Sequence, residues 1–356
     1  MKKGVKTLKL KNLPKKLTQY NTVHLISHTD LDGVGPSIVL KAYGIAHEAD
    51  FVETRKVDEA VLAKLDVLAD NELLIITDLS VSKEVADVIT KVNKEPNARF
   101  VILIDHHASA LYLNEYAWAS EIPSLDDIKM SATTLLFKYL VEANYQVNPR
   151  TFAEDEVEPN YTADQLAIFF DRLAHFVENV RLYDTWDWHA LKIQEAADLN
   201  TIFYARRRHS FILDRFNYIL TGKLFTDEDE AYLHFSKDEL RKVLKKKEKQ
   251  MVVVKNHTLK GHDAPLNIGV IETDSFVSEL GNHLAEKFEE EIDCVFIVSI
   301  VKNRVSLRSV GKDVNLSEIA KNYNGGGHPN ASGCDLSELG IGFLTAILNA
   351  PKVIKK

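Results

Sequence analysis

Cysteine is almost absent from this chain, with only Cys294 and Cys334 in 356 residues. They stand far apart, match no zinc-ligand spacing and give no disulfide framework. No run of 18 apolar residues occurs, which excludes a membrane-spanning helix. The start, MKKGVKTLKL, carries lysines but no apolar stretch behind them, so it does not read as a secretion signal. A cytoplasmic protein is expected. Internal repeats and low-complexity segments are also lacking. So is any excess of positive charge: 44 Lys and Arg against 52 Asp and Glu leave a net charge of −8. Such a chain does not coat long duplex DNA, where phosphate neutralisation drives affinity. It can hold a small anion if bound cations supply local positive charge. The length suggests two domains.

The first third alternates short apolar runs with helical stretches. Val23–Ser27, Leu73–Thr77 and Phe100–Ile104 are continuous and rich in β-branched residues, and each ends abruptly in polar residues. A helix can start at Pro36 and run to Tyr43. This pattern predicts an α/β fold on a buried parallel sheet. Such sheets bind ligands outside the carboxyl ends of their strands. From Ala163 to Tyr183, apolar residues recur at spacings of three and four, a buried helix face. Residues from Leu191 to Lys249 read as further helices ending in the charged run RKVLKKKEKQ. The expected organisation is an N-terminal domain over 1–190, a helical connector over 191–250 and a smaller α/β domain over 251–356. In the last, Leu266–Ile271, Cys294–Val301 and Val305–Ser309 read as strands, with a helix at Ser275–Glu289.

Charged residues gather where the apolar runs end. In His28-Thr-Asp30-Leu-Asp32-Gly33 the candidate ligands are two residues apart, which places them on one side if the segment is extended. Gly33 would then let the chain turn sharply. The rival reading is a solvated Asp-rich turn. Asp78 follows the second run; alone it reads as a helix N-cap, with Ser80 or Ser82 able to share that role. Asp105-His106-His107 follows the third run, the alternative being a loop of partly buried histidines. Asp184 ends the long helical stretch, where a negative charge opposes the helix dipole unless a cation lies near. Imidazole mixed with carboxylate suits manganese better than calcium. A pair of cations about 3.5–4 Å apart can activate water and clamp the oxygens of a phosphodiester displacement.

These motifs together resemble the DHH phosphoesterase superfamily, in order along nearly the whole chain: HTDLDG at 28–33, TDLS at 77–80, DHH at 105–107, YDTWDWH at 183–189, and RS with GGGHPNASG at 308–333. The DLDG form and the tryptophan-rich fourth motif look closest to the oligoribonuclease NrnB group. The resemblance implies that His28 and Asp30 hold one metal, that Asp32 and His106 hold the other, and that Asp78 and Asp184 touch both. It makes Asp105 a residue that orients a histidine and puts His107 beside the scissile phosphate. Two divalent ions are implied, manganese expected and magnesium the alternative. Some members place the first histidine four residues before the first aspartate, a position held here by Ile26.

The last 100 residues look like the family's DHHA1 domain, which binds substrate. Arg308 and Ser309 would meet a phosphate, and Gly325, Gly326, Gly327 and His328 would bring N–H groups to an anion. The resemblance implies a 3′-to-5′ exonuclease acting on short oligonucleotides, with the second domain gripping the terminal nucleotide and closing over it. The alternatives are a cyclic mono- or dinucleotide phosphodiesterase and a nucleotide-binding sensor without catalysis. The expected partner is a short oligonucleotide or nucleotide, with no membrane and no long duplex; the chain could form a homodimer. Three features are read conservatively: His24 as a strand residue, Trp186 and Trp188 as core packing, and Arg206–Arg208 as a solvated helix face.

Overall fold

A computed structural model describes residues 17–95, 99–149, 160–310 and 314–352; the lysine-rich start lies outside them. The chain divides into two compact units, Met1–Leu233 and His234–Lys356. The first begins with β1 (Thr22–Ser27), α1 (Leu31–Ala42), β2 (Glu48–Phe51), α2 (Val57–Val67), β3 (Glu72–Thr77), α3 (Lys83–Val92), β4 (Phe100–Asp105) and β5 (Ala119–Glu121). The five strands form one parallel sheet in the order β2-β1-β3-β4-β5. A small hairpin, β6 (Ser124–Leu125) with β7 (Ile128–Lys129), leads to α4 (Ala132–Glu142). Helices α5 (Ala163–Asp184), α6 (Asp187–Leu191), α7 (Gln194–Ala205), α8 (Arg208–Thr221) and α9 (Asp227–Glu248) follow.

The continuous apolar runs have a simple cause: both faces of the sheet are covered. Leu25, Leu73, Ile75, Ile102 and Ile104 face α1, α4, α5, α7 and α8. Ile26, Leu74, Ile76, Val101 and Leu103 face α2 and α3. Alternate residues thus go to opposite cores. The stretch expected as a connector is helical, and its part up to Leu233 lies in the first core through Leu199, Phe203, Phe211, Phe216 and Ile219.

The helix expected from Pro36 starts five residues earlier. Asp30 is its N-cap, its Oδ1 accepting the Gly33 N–H at 2.9 Å. The HTDLDG segment is therefore not extended: Asp32 and Gly33 lie in the first helical turn. Gly33 makes no sharp turn there; a Cβ on it would come within 2.2 Å of the His28 carbonyl oxygen. Pro36, inside the helix, cannot donate to the Asp32 carbonyl. The Thr133 hydroxyl supplies that bond instead, at 2.9 Å. Gly35 admits Thr133, since a Cβ there would meet its Oγ1 at 2.1 Å.

The second unit contains β8 (Val252–His257), β9 (Leu266–Glu272), α10 (Val277–Lys287), β10 (Cys294–Ser299), β11 (Arg304–Arg308), α11 (Leu316–Lys321), β12 (Gly326–His328), β13 (Ala331–Asp335) and α12 (Gly340–Asn349). Its sheet order is β12-β13-β11-β10-β9-β8, with only β9 and β10 parallel. Helix α10 covers one face through Leu280 and Leu284. Helices α11 and α12 cover the other through Ile319 and Phe343. Strand β8 and the β12–β13 hairpin were not expected from sequence. Cys294 and Cys334 are both buried and are not disulfide-bonded to each other.

The Arg206–Arg208 stretch is not a uniformly solvated face. Arg206 pairs with Asp229 at 2.8 Å, and the fully buried Arg215 reaches the other oxygen of the same carboxylate at 2.6 Å. Removing one partner of a buried pair leaves an uncompensated charge, which costs about 3–5 kcal/mol. Asp229→Ala should therefore lower the unfolding free energy by about that amount, measured by urea denaturation. A loss below about 1 kcal/mol would mean that this pair does not hold α8 to α9.

Candidate metal centre

The parallel sheet brings four sequence-distant segments to one edge. His28 and Asp30 follow β1, Asp78 follows β3, Asp105 ends β4 and leads to His106 and His107, and Asp184 ends α5. His28 Nδ1 lies 2.8 Å from Asp30 Oδ2 and 3.7 Å from Asp78 Oδ2. His106 Nε2 lies 3.3 Å from Asp78, 3.5 Å from Asp184 and 3.6 Å from Asp32. Three overlapping groups result, each with donor atoms within 4.8 Å of one another: His28, Asp30 and Asp78; Asp32, His106 and Asp184; and Asp78, Asp105, His106 and His107. Asp78 and His106 each belong to two groups.

Asp30, Asp32 and Asp105 are held by backbone N–H groups. Asp32 is buried, and its two oxygens accept the N–H groups of Ala132 and Thr133 at 2.7 and 3.0 Å. These are orphan donors at the start of α4, where a negative charge is favoured. Asp78 adopts left-handed backbone, φ 55°, and is not a helix cap; Ser82 caps α3. Ser80 donates to Asp105 Oδ2 at 2.7 Å. The other Asp105 oxygen accepts the His106 N–H at 2.7 Å and the His107 Nδ1–H at 2.9 Å.

The electrostatics divide the aspartates. Burial and then the carboxylates of Asp30, Asp32, Asp184 and Asp105 hold the Asp78 carboxyl well above the usual range. Burial also raises Asp184, to about 7; His106 lowers it in part, while Asp32 and Asp30 add to the rise. Burial alone would raise Asp30, but the His28 hydrogen bond and charge and the Gly33 N–H bring it down to about 2. His107 goes the other way: burial lowers it, yet the charge and hydrogen bond of Asp105 carry it to about 9. Asp78 Oδ2 and Asp184 Oδ2 are buried with no hydrogen-bond donor among the described residues. Buried anionic oxygens without donors, repelled by neighbouring carboxylates, fit divalent cations.

Sequence reasoning missed the support around this cluster. The α4 N-terminus was legible only as Ser131 before an apolar run, the sign of an N-cap. Glu121 on β5 gave no signal. It is buried with both oxygens unpartnered among the described residues, and burial followed by the Asp105 charge raises it to about 10. His24 is no part of the cluster; it sits between Glu48 and Glu72, at 3.2 and 3.1 Å. Trp186 and Trp188 are not core residues. They are half-exposed, their rings 5.1 Å apart, and Trp188 stacks on Tyr183. Trp186 also has left-handed backbone, which turns the chain between α5 and α6.

The residues expected to meet substrate lie in the second unit. Arg308, at the end of β11, donates to the Leu307 carbonyl at 2.8 Å and to Ser278 Oγ at 3.1 Å. Ser309 is buried, its hydroxyl without a partner among the described residues. The glycine stretch is a strand more than an open loop: Gly326, Gly327 and His328 pair with Gly333, Ser332 and Ala331. Gly325 gives its N–H to the Ala320 carbonyl, and a Cβ on it would come within 2.0 Å of the Gly333 oxygen. Close backbone approach therefore accounts for glycine at 325.

The doubly covered parallel sheet thus ends in an acid–imidazole cluster that could hold metal ions. A DHHA1 domain family model matches residues 270–351. The chain is 33% identical over 325 residues to the oligoribonuclease NrnB of Bacillus subtilis (strain 168), spanning 88% of this chain and 73% of that one. Its fold is similar to a solved DHH domain described as belonging to a family of ribosomal proteins, with a TM-score of 0.57 at 14% identity over 93% of this chain and 86% of that one. A pGpG-specific phosphodiesterase, PggH of Vibrio cholerae, is matched at a TM-score of 0.44 and 13% identity, over 92% of this chain and 96% of that one. The chain belongs to the DHH/DHHA1 phosphoesterase family.

The raised pKa of Asp184 gives a test on metal-free protein. A carboxyl whose pKa is higher folded than unfolded stabilises fully below the ordinary carboxylate range, and that contribution is lost as pH rises through the folded value, here about 7. Chelated protein should lose stability between pH 5 and 8, on the order of 2 kcal/mol from this group. Asp184→Asn should flatten that fall. Identical stability profiles for the two proteins, followed by thermal melts in EDTA, would remove the repulsion described here.

Proposed function

We propose that this chain hydrolyses phosphodiester bonds in short oligonucleotides, as a 3′-to-5′ exonuclease using two divalent cations, with manganese the expected ion and magnesium the alternative. The observation that carries the reading is the set of overlapping ligand groups in which Asp78 and His106 are each shared by two, in a chain 33% identical to an oligoribonuclease. His28, Asp30 and Asp78 would hold one cation, and Asp32, His106 and Asp184 the other. When bound, divalent cations there would polarise a water and offset the negative charge of the phosphate.

The chain's own residues do the rest. Asp32, fixed by two α4 N–H groups, cannot swing away, so the cluster keeps its shape under repulsion. Asp105 holds His107 in the charged form at neutral pH, leaving Nε2 able to donate to a phosphate oxygen or to give a proton to the leaving oxygen. In the second unit, Arg308 is the proposed grip on a substrate phosphate, held by Ser278 with Ser309, the hairpin glycines and His328 beside it.

The test is a product profile from protein loaded with manganese, on labelled dinucleotides, five-mers, long RNA and cyclic dinucleotides. Rapid loss of the shortest linear substrates from the 3′ end supports the reading. Preference for the cyclic substrate, or binding without turnover, would overturn it. Two variants sharpen the assignment. Asp78→Asn suits the left-handed backbone at this position. It should cut turnover by roughly a hundredfold or more and lower bound metal measured by elemental analysis. Arg308→Ala should raise KM for dinucleotides roughly tenfold with metal content unchanged. A small chromogenic diester should be cleaved almost normally by this variant; equal loss on both substrates would place Arg308 elsewhere in the mechanism.

A further inference from the structure

A cavity of about 450 Å³ lies in the first unit among α1, β2 and the start of α8. Its polar lining is basic, with Lys41, His47, Arg208 and His209 beside the apolar wall of Phe51 and Ile212. Among the described residues no carboxylate lines it, in a chain whose acidic residues outnumber its basic ones. The volume suits a small ligand.

The cationic groups are held in place. Lys41 Nζ sits 5.1 Å over the Phe216 ring, and the Arg208 guanidinium sits 4.9 Å over Phe51. Arg208 donates to the Thr29 carbonyl at 3.3 Å, and its Nε–H is buried without a partner among the described residues. His47 is fixed from both ring nitrogens, by the Ile45 carbonyl at 3.0 Å and the Ser37 hydroxyl at 2.7 Å. Burial lowers the pKa of both Lys41 and His47, and the Lys41 charge lowers that of His47 further. An anion would relieve both effects. The Arg208 contact to Thr29 ties this pocket to the segment carrying His28 and Asp30.

We propose that the cavity is a nucleotide subsite separate from the acid–imidazole cluster. A phosphate monoester would pair with Lys41 and Arg208, and the base would lie against Phe51 and Ile212. Arginine over an aromatic ring offers a flat surface for a base, and stacking tolerates any of the four. The identity of the ligand class rests on the reading of this chain as one that acts on nucleotides. The same chemistry could come from the end of an oligonucleotide or from a free mononucleotide.

The experiment is calorimetric titration of AMP into the full-length protein stripped with EDTA. Without cations the aspartate cluster repels an anion, and titration in an Arg308→Ala background removes the phosphate grip proposed in the second unit, so binding reports the basic pocket, and no hydrolysis is needed. One AMP should bind per chain, inorganic phosphate should bind more weakly, and Lys41→Gln or Ile212→Trp should weaken AMP by roughly tenfold or more with thermal melts unchanged. Dinucleotide kinetics on manganese-loaded protein then separate the sources. A raised KM in Lys41→Gln, with kcat and chromogenic diester cleavage kept, identifies the end of the substrate. Unchanged KM with lost AMP binding identifies a free nucleotide. No saturable AMP binding at millimolar concentration, or equal binding in both variants, overturns the proposal. Absence of nuclease activity would count against the reaction proposed above and leave the titration result standing.

Discussion

Mutual repulsion among Asp30, Asp32, Asp78 and Asp184 is the constraint around which the first unit is arranged. Carboxylates crowded around two imidazoles and partly shut off from water cannot all remain charged unless cations or protons join them. The raised pKa values of Asp78 and Asp184 express this directly. A fold can hold such a cluster only by fixing each carboxylate to something stiffer than a side chain. Parallel strands suit this, because their carboxyl ends lie side by side whatever the sequence distance between them.

The helix α4 shows how far that fixing reaches. Its first N–H groups grip the Asp32 carboxylate, and its Thr133 hydroxyl binds the Asp32 carbonyl left without a donor by Pro36. Both bonds need α4 close against α1, and Gly35 permits that approach. A proline that would otherwise weaken a helix thus leaves a carbonyl free for a second helix to bind. The result is one rigid joint, with a cluster aspartate at its centre and cores packed on both helices.

The parallel sheet and the ends of its main strands were legible because buried strands leave uninterrupted apolar runs, and charged residues stand out where the runs stop. The order of HTDLDG, TDLS, DHH and YDTWDWH was legible as a family pattern, and the structure brings the aspartates and histidines of the first three together with Asp184 of the fourth. The course of the HTDLDG segment was not. Period-two spacing of His28, Asp30 and Asp32 suggested extension, but Asp30 capping and the clash that only Gly33 avoids start a helix there. The hairpin β12–β13 was hidden for a related reason: glycine has low strand propensity, so a strand needing glycine for close backbone contact reads as a loop. The place of α7 and α8 in the first core depends on long-range packing that no local pattern announces.

Asp78 and Asp105 end the comparison with a contrast that sequence could not supply. Asp78 follows β3 and Asp105 ends the adjacent parallel strand β4; both are buried, and both lie near His106. Yet their carboxyls shift in opposite directions. Burial raises both, but Asp105 receives the Ser80 hydroxyl, the His106 N–H and the His107 ring, so its charged form is stabilised and its pKa falls below the usual range. Burial raises Asp78 as well, and it faces four other carboxylates with no donor at Oδ2 among the described residues, so its pKa stays high. An aspartate already satisfied by donors gains little from a cation; one left without them gains most. By this criterion Asp105 is placed to orient His107 and favour its charged form, whereas Asp78 is the carboxylate that a bound cation would stabilise most.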